Sequence, residues 1–274
     1  MAPTPPPAPA DEVQVVVAHS ERATLRVGDV FLKVDPDRAR IDTEVAAMAL
    51  APVPTARILW SKPPVLALAR VPGAPLGRLG TPSTAPPEAW AAAGAALREL
   101  HTAPLPPHPG GAGRSLAALR AELDTECARL VADAVLPADL VARNRRVADA
   151  ALRPWPEAFT HGDLQIAHVF TDGARITGIL DWSEAGRGDA LHDLATLTLG
   201  QEERLPDLLS GYGTPVDLTV IRAWWSLRSL LAVRWLLAHG FDPAAPGCEI
   251  DVLRTQMQPG TGRQIQPPQP NVAT

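Results

Sequence analysis

Short apolar and β-branched runs alternate with turn-forming residues in the first part of the chain, between residues 13 and 69. Runs of this length bounded by polar or turn positions are typical of strands. They predict five strands, at 13–17, 24–27, 30–34, 58–60 and 65–69. Gly28-Asp29 separates the second run from the third and suits a type II′ hairpin, because glycine is favoured at the first position of that turn.

The segment 37–50 has helical periodicity instead. Ile41, Val45 and Met48 recur at spacings of four and three residues, which places them on one face of a helix. The first part of the chain is therefore predicted to be a small antiparallel sheet with one inserted helix.

Helical periodicity dominates the rest of the chain. It predicts helices at 88–100, 115–132, 140–152, 203–210 and 218–239. We predict an α+β fold with a sheet-based lobe at 13–72, a Pro- and Gly-rich linker at 73–87 and a mainly helical lobe at 88–257. Residues 1–12 are predicted to be a disordered Pro-rich leader, and residues 258–274 a flexible tail.

Composition narrows the class of protein. The 274 residues carry a net charge of −5, which argues against a nucleic-acid binder because such proteins usually have a basic excess. No apolar run is long enough for a membrane span, and the N-terminus lacks the basic and apolar regions of a secretory signal. Cys127 and Cys248 lie far apart, without metal-ligand spacing. We predict a cytoplasmic monomer or homodimer that binds neither nucleic acid nor membrane.

The segment 160–195 carries the candidate chemistry. Strands predicted at 169–170 and 176–180, joined by a turn at Asp172-Gly173, would bring Asp163, His168 and Asp181 to one end of a hairpin. Two carboxylates and an imidazole in that arrangement suit a metal and acid-base site. The alternative is that both aspartates are turn residues, since Asp is common in turns.

Three spaced motifs in this segment resemble those of the aminoglycoside phosphotransferase and choline-kinase-like family of small-molecule kinases. The motifs are His161-Gly162-Asp163, Ile179-Leu180-Asp181-Trp182 and GDALHDLA at 188–195. The runs HGDLQIAH at 161–168 and LDWSEA at 180–185 are most similar to the macrolide phosphotransferase-like subset. A strand lysine, a glutamate in the next helix and a hinge-like run at 66–72 extend the resemblance to roughly residues 13–239.

The resemblance implies a bilobal protein-kinase-like fold that uses ATP or GTP and Mg²⁺. The expected residues are, for catalysis, Asp163; for the nucleotide, Lys33, Glu44, Ser20 and the main chain of Ala67 and Ala69; for the metal, His168 and Asp181; and for support of the catalytic loop, His161 and Asp193. Two features depart from the family pattern. His168 stands where the family usually has Asn, and the loop at 18–23 lacks glycine, so that Ser20 and backbone N–H groups would have to replace a glycine-rich loop.

Simpler interpretations of several residues stay open from the sequence alone. Lys33 is also explained as an ordinary strand lysine, Glu44 as a solvated helix residue and His168 as a turn residue. Asp189 is also explained as the cap of a helix that starts near Ala190.

The partner implied by the resemblance is a small hydroxylated acceptor. Glu184 and Glu202 would attract a cationic acceptor, and Trp224 would offer an apolar wall, although tryptophans on a helix more often belong to the core. The resemblance implies transfer of the γ-phosphoryl group of a nucleoside triphosphate to a hydroxyl of an antibiotic or similar natural product. The alternatives are a metabolic kinase of a sugar, amino alcohol or amino acid, and an inactive nucleotide-binding module.

Overall fold

A five-stranded antiparallel sheet forms the N-terminal lobe. The computed structural model describes residues 12–18, 22–106 and 115–256, and its first sheet has the strand order β1-β2-β3-β5-β4. The strands are β1 (Val13–Ala18), β2 (Ala23–Val27), β3 (Val30–Val34), β4 (Ile58–Lys62) and β5 (Val65–Ala69). Val27 pairs with Val30 across the predicted two-residue hairpin, and Gly28 has a φ of 58°, as the first position of a type II′ turn requires.

Helix α1 (Arg38–Leu50) is inserted between β3 and β4. Its N-cap is Asp37, whose side chain accepts a hydrogen bond from the N–H of Ala39. Ile41 and Met48 are buried on this helix, and so is Glu44. A buried glutamate requires a partner, because an ionised carboxylate is costly to remove from water.

Helices form most of the C-terminal lobe. They are α2 (Pro87–Thr102), α3 (Leu116–Ala132), α4 (Ala138–Ala148), α5 (Ala190–Leu197), α6 (Leu205–Tyr212), α7 (Leu218–Ala238) and α8 (Glu249–Thr255). Helix α7 is central and packs against α3, α4, α5 and α8. Its residues are buried on several sides, as expected for a helix that other helices surround.

Two small sheets hold the segment at 160–195 that contains the candidate site residues. The strands of these sheets are β6 (Ala74–Pro75), β7 (Glu157–Thr160), β8 (Val169–Asp172), β9 (Arg175–Ile179) and β10 (Gly186–Asp189). β8 and β9 form the predicted hairpin, with β6 beside β8, while β7 pairs with β10. A bridge between Thr55 and Ile179 links this region to the N-terminal lobe.

The structure confirms the predicted α+β fold class and corrects several elements. The helix predicted at 140–152 is α4 followed by a 3₁₀ turn at Asp149–Ala151, and the one predicted at 203–210 is a 3₁₀ turn at Glu202–Arg204 followed by α6. The sequence analysis missed β6, β7, β10 and α8. These elements are short, and β10 reads GRGD, a sequence with little strand preference that is extended because it pairs with β7.

Parts of the predicted organisation lie outside the described residues, namely the leader except Glu12, and the tail. Strand β6 lies within the predicted linker, so that this segment contributes to the same sheet as the hairpin of β8 and β9. Within the described ranges, no helix has both the length and the apolar character needed to span a bilayer.

Candidate active site

Lys33 connects the two lobes through two carboxylates. Its Nζ on β3 lies 2.6 Å from Glu44 Oε2 on α1 and 2.8 Å from Asp181 Oδ1, which follows β9. Burial lowers the pKa of an amine, but the two carboxylates outweigh this effect and leave the pKa of Lys33 above its ordinary value. Lys33 is therefore a permanently charged group between the lobes, and we call these three residues the Lys33 cluster.

Asp181 has an uncommon backbone conformation. Its φ is +66°, in the left-handed region that residues other than glycine seldom adopt. Burial raises the pKa of its carboxyl, but the positive charge of Lys33, together with the neighbouring His168, outweighs burial and places the pKa well below the ordinary value. The turn directs an ionised carboxylate towards the N-terminal lobe.

His168 lies between the two aspartates. Its Nδ1 is 2.9 Å from the backbone oxygen of Asp163, so Nδ1 carries the proton and donates it to that oxygen. The other ring nitrogen, Nε2, lies 3.8 Å from Asp181 Oδ2. The hairpin sets this geometry, because the N–H of Leu180 donates to the backbone oxygen of His168 at 3.0 Å.

The carboxylate of Asp163 is held by two side chains. Nη2 of Arg228 donates to Oδ1 at 2.9 Å, and Nε2 of Gln165 lies 3.1 Å from Oδ1 and 3.0 Å from Oδ2. Burial acts to raise the pKa of Asp163, but Arg228, His168 and Gln165 together hold it below its ordinary value. Arg228 itself bridges to Glu249 Oε1 at 3.0 Å.

Asp193 organises the backbone of the loop that carries Asp163. Its carboxylate accepts the N–H groups of His161 at 2.7 Å and Gly162 at 3.0 Å, and His101 Nε2 lies 3.2 Å away. His161 is fully buried, its Nε2 donates to the backbone oxygen of Leu180 at 2.9 Å, and burial lowers its pKa. These contacts are those that a supporting role for Asp193 and His161 requires.

The three residues expected at the acceptor lie in different surroundings. Glu184 is half-exposed and pairs with Arg40 at 2.8 Å, and Glu202 pairs with Arg222 at 3.0 Å. Trp224 is only 6% exposed, and its Nε1 donates to Asp189 Oδ2 at 2.9 Å. The expectation that Trp224 forms an apolar wall for the acceptor is therefore corrected, because its ring is part of the core. Asp189 also caps α5, as the simpler interpretation held.

The nucleotide residues proposed from the hinge also need a correction. The N–H of Ala69 donates to the backbone oxygen of Arg57 at 2.9 Å, so the sheet already uses this group and it does not face a purine. Ala67 is fully buried within β5, paired with both β3 and β4. Ser20 lies outside the described residues.

The donor set fits a magnesium ion shared with a nucleotide. Among the described residues, no group of three His, Cys, Asp or Glu side chains is arranged to hold a metal by itself. Mg²⁺ is usually held by one or two protein ligands together with phosphates and waters. Asp181 Oδ2 and His168 Nε2 match that pattern, with the imidazole as the unusual member because Mg²⁺ prefers oxygen.

The sequence analysis missed the partners of Asp163. Arg228 lies in the largely apolar helix α7, 65 residues from Asp163 in the chain, and Glu249 lies in a helix that was not predicted. The available signal was an arginine in an otherwise apolar helix, since such a side chain is seldom buried without a carboxylate. That signal indicates that an acidic partner exists and leaves its identity open.

The fold and the site together define a class. A strand lysine paired with a helix glutamate faces an aspartate after a hairpin and an HGD loop, which is the arrangement of kinase-like phosphotransferases. The chain belongs to the Phosphotransferase enzyme family, whose sequence profile matches residues 12–224. The family resemblance described above is thereby confirmed.

Solved structures share the fold at low sequence identity. The macrolide 2′-phosphotransferase MphH from Brachybacterium faecium is 22% identical, with a TM-score of 0.60 over 92% of this chain and 93% of that one. The aminoglycoside phosphotransferase APH(3″)-Id from Streptomyces rimosus is 23% identical, with a TM-score of 0.59 over 81% and 94% of the two chains. A choline/ethanolamine kinase family protein from Mesorhizobium loti is 23% identical, with a TM-score of 0.61 over 90% and 89%. No curated protein matches the chain significantly.

Proposed function

We propose that the chain is a small-molecule O-phosphotransferase, which moves the γ-phosphoryl group of ATP or GTP to a hydroxyl of an antibiotic or similar natural product. One observation carries the proposal: Lys33, Asp181, His168 and Asp163 are neighbours in that order. Lys33 Nζ lies 2.8 Å from Asp181 Oδ1, Asp181 Oδ2 lies 3.8 Å from His168 Nε2, and His168 Nδ1 lies 2.9 Å from the backbone oxygen of Asp163. A cation suited to phosphates thus lies at one end and a carboxylate suited to a hydroxyl at the other. Phosphoryl transfer depends mainly on such positioning and charge stabilisation.

Asp163 would orient the acceptor hydroxyl. Its low pKa keeps the carboxylate ionised at neutral pH, and it would accept the hydroxyl proton as a hydrogen bond that aims the oxygen at the γ-phosphorus. As the new P–O bond forms and the bond to the leaving nucleoside diphosphate breaks, the proton moves to Asp163. Asp193 and His161 would hold the loop in the required conformation.

Lys33 would contact the nucleotide phosphates, with Glu44 holding its amine in place. Asp181 and His168 would hold Mg²⁺, which when bound neutralises charge on the phosphate oxygens. Glu184 and Glu202 stay candidates for contacts with the acceptor, although both are paired with arginines in this structure.

The named acceptors of structural neighbours support an antibiotic as the acceptor class. One neighbour is described as a macrolide 2′-phosphotransferase, and another was solved with ADP and streptomycin. A third is a spectinomycin phosphotransferase solved with ADP and spectinomycin. Macrolides, streptomycin and spectinomycin are hydroxylated antibiotics, and this supports the proposal that the acceptor of the present chain is also an antibiotic.

The test is a mass-spectrometric screen of hydroxylated antibiotics, sugars and amino alcohols, each incubated with the protein, Mg²⁺ and either ATP or GTP. We expect an antibiotic to gain one phosphoryl group and excess chelator to prevent the gain. Transfer to a sugar or amino alcohol alone would replace the antibiotic proposal with a metabolic kinase. Nucleotide binding without transfer to any compound would indicate an inactive module.

Asp163→Ala is the matched control for that screen. We expect transfer to fall by about 10²–10⁴-fold, the usual contribution of a positioned acid-base group, with an unchanged circular dichroism spectrum. A variant that keeps transfer within about tenfold of the original rate, roughly 1.4 kcal/mol, would remove Asp163 from this role.

A further inference from the structure

Arg228 is a largely buried cation that has no part in the proposed phosphoryl transfer. Its Nη2 lies 2.9 Å from Asp163 Oδ1 and its Nη1 lies 3.0 Å from Glu249 Oε1. The side chain of Arg228 is 18% exposed and that of Glu249 11%. Charges held this far from water are costly unless they are paired, so the three groups depend on one another. We call Asp163, Arg228 and Glu249 the Arg228 cluster.

We propose that Arg228 is a positioning residue, which orients the Asp163 carboxylate so that Oδ2 receives the acceptor hydroxyl, and that Glu249 positions Arg228. This inference rests on the proposed function of Asp163. Arg228 contributes no atom to the transfer. It acts through the direction in which it holds the neighbouring carboxylate.

The two oxygens of Asp163 have different surroundings. Oδ1 accepts hydrogen bonds from Arg228 at 2.9 Å and Gln165 at 3.1 Å, whereas the hydrogen bond to Oδ2 comes from Gln165 at 3.0 Å. Each carboxylate oxygen has about two lone-pair directions. Oδ1 is therefore filled by these donors, and Oδ2 retains room for the hydroxyl of an acceptor.

Glu249 gives the cluster its charge balance. A single arginine on Asp163 would form a neutral pair, in which the carboxylate attracts a hydroxyl proton less strongly. With Glu249 as a second anion, one cation serves two carboxylates and the cluster keeps one net negative charge. The planar guanidinium fork also fixes the angle between its two partners, which a lysine ammonium does not.

Helix α7 contains a matched arginine away from the site. Arg234 pairs with Asp133 and with Glu126 of α3, so it also bridges two carboxylates. Its removal tests whether loss of any such bridge on α7 reproduces the effect expected for Arg228.

The experiment compares Arg228→Met, Arg228→Lys, Glu249→Gln and Arg234→Met in the full chain with the acceptor identified in the screen. For Arg228→Met we expect kcat to fall on the order of 10²-fold, the usual cost of a displaced catalytic group, with KM for both substrates within about threefold. Arg228→Lys should recover part of kcat, because a cation returns without the fork. Glu249→Gln should lower kcat less than Arg228→Met, and Arg234→Met should leave kcat and both KM values unchanged.

Thermal unfolding and crystal structures separate positioning from general stability. If Arg228→Met does not fold, Arg228→Lys and Glu249→Gln carry the test through the same split between kcat and KM. Equal kcat for the original protein and the folded Arg228 variants would overturn the inference while the proposed function stands.

If no compound is phosphorylated by the original protein, the proposed function fails. In that case the structure of Arg228→Lys still decides the positional claim, since an unmoved Asp163 carboxylate contradicts it.

Discussion

The Lys33 cluster and the Arg228 cluster have the same composition, one cation between two carboxylates, but they connect different parts of the molecule. Lys33 joins β3, α1 and the turn after β9, so its contacts cross from one lobe to the other. Arg228 joins the catalytic loop, α7 and α8, all within the C-terminal lobe. The first cluster therefore depends on how the two lobes are placed, whereas the second depends on helix packing within one lobe.

The choice of cation follows this difference. A lysine ammonium is a compact charge on a flexible stem, so it can exchange a carboxylate partner for a phosphate. A guanidinium fork holds two partners at fixed angles, which suits a carboxylate that must keep its orientation. The comparison teaches that, under the proposed function, a compact cation lies at the end of the site assigned to the nucleotide and a rigid fork at the end assigned to the acceptor.

Lys33→Met removes the cation of the Lys33 cluster and should give the largest effect, because it lowers both the stability of the fold and the affinity for the nucleotide. The substitution leaves Asp181 and the buried Glu44 without their cation, and an unpaired buried carboxylate such as Glu44 costs up to about 3–5 kcal/mol of stability. It also removes the proposed phosphate contact of Lys33, so we expect nucleotide affinity to fall by about tenfold or more. Chemical denaturation and calorimetric titration with ATP measure the two effects.

Arg228→Met provides the contrast for this measurement. Its nucleotide affinity should stay unchanged, because the Arg228 cluster lies at the acceptor end. If both substitutions weakened nucleotide binding equally, the division of the site into two clusters with separate tasks would be wrong.

Gly162→Ala should disturb the Arg228 cluster by moving the backbone next to Asp163. Gly162 has a φ of +87°, and a Cβ there would lie 2.1 Å from the backbone oxygen of Glu184, so alanine forces the catalytic loop to move. The left-handed conformation alone costs a residue with a Cβ about 1–2 kcal/mol. We expect kcat to fall on the order of 10²-fold, because Asp163 follows directly in the chain. Steady-state kinetics and thermal unfolding check this, and a normal kcat would show that the loop tolerates the shift.

Asp193→Asn should give the smallest effect and one that depends on pH. Burial raises the pKa of Asp193, but the hydrogen bond from His101 and the neighbouring His161 outweigh burial, so the folded pKa lies below its ordinary value. A depressed folded pKa stabilises the fold at pH values above the unfolded pKa, and this stabilisation is lost as pH falls through the folded value. At pH 7 we expect the variant to be less stable by about 1.5–3 kcal/mol, the usual contribution of a hydrogen bond to a charged group.

The stability gap between the original protein and Asp193→Asn should narrow as pH is lowered below about 4. Urea denaturation at pH 7 and at acid pH measures it. An equal gap at both pH values would mean that the charge of Asp193 does not support the loop.

Local patterns predicted the elements whose sequence preference and tertiary role agree. The strands at 24–27, 30–34 and 65–69, the hairpin at Asp172-Gly173 and helix α7 follow from spacing and turn residues. Strand β10 and helix α8 did not follow, because each is short and takes its conformation from a neighbour. The sequence also did not show that the N–H of Ala69, one of the main-chain groups expected at the nucleotide, donates to Arg57, since strand pairing decides which backbone groups stay available.

The sequence by itself determined the fold class, the family motifs and the presence of Lys33, Asp163 and Asp181, because these depend on residue type and short-range spacing. Only the tertiary structure decided which charged side chains form ion pairs with one another. Arg228 reaches Asp163 across 65 residues, and it reaches Glu249 through a helix with no distinct sequence pattern. The physical reason is that burial makes a charged side chain require an opposite charge, whereas the packing of distant elements decides which one comes within hydrogen-bonding distance.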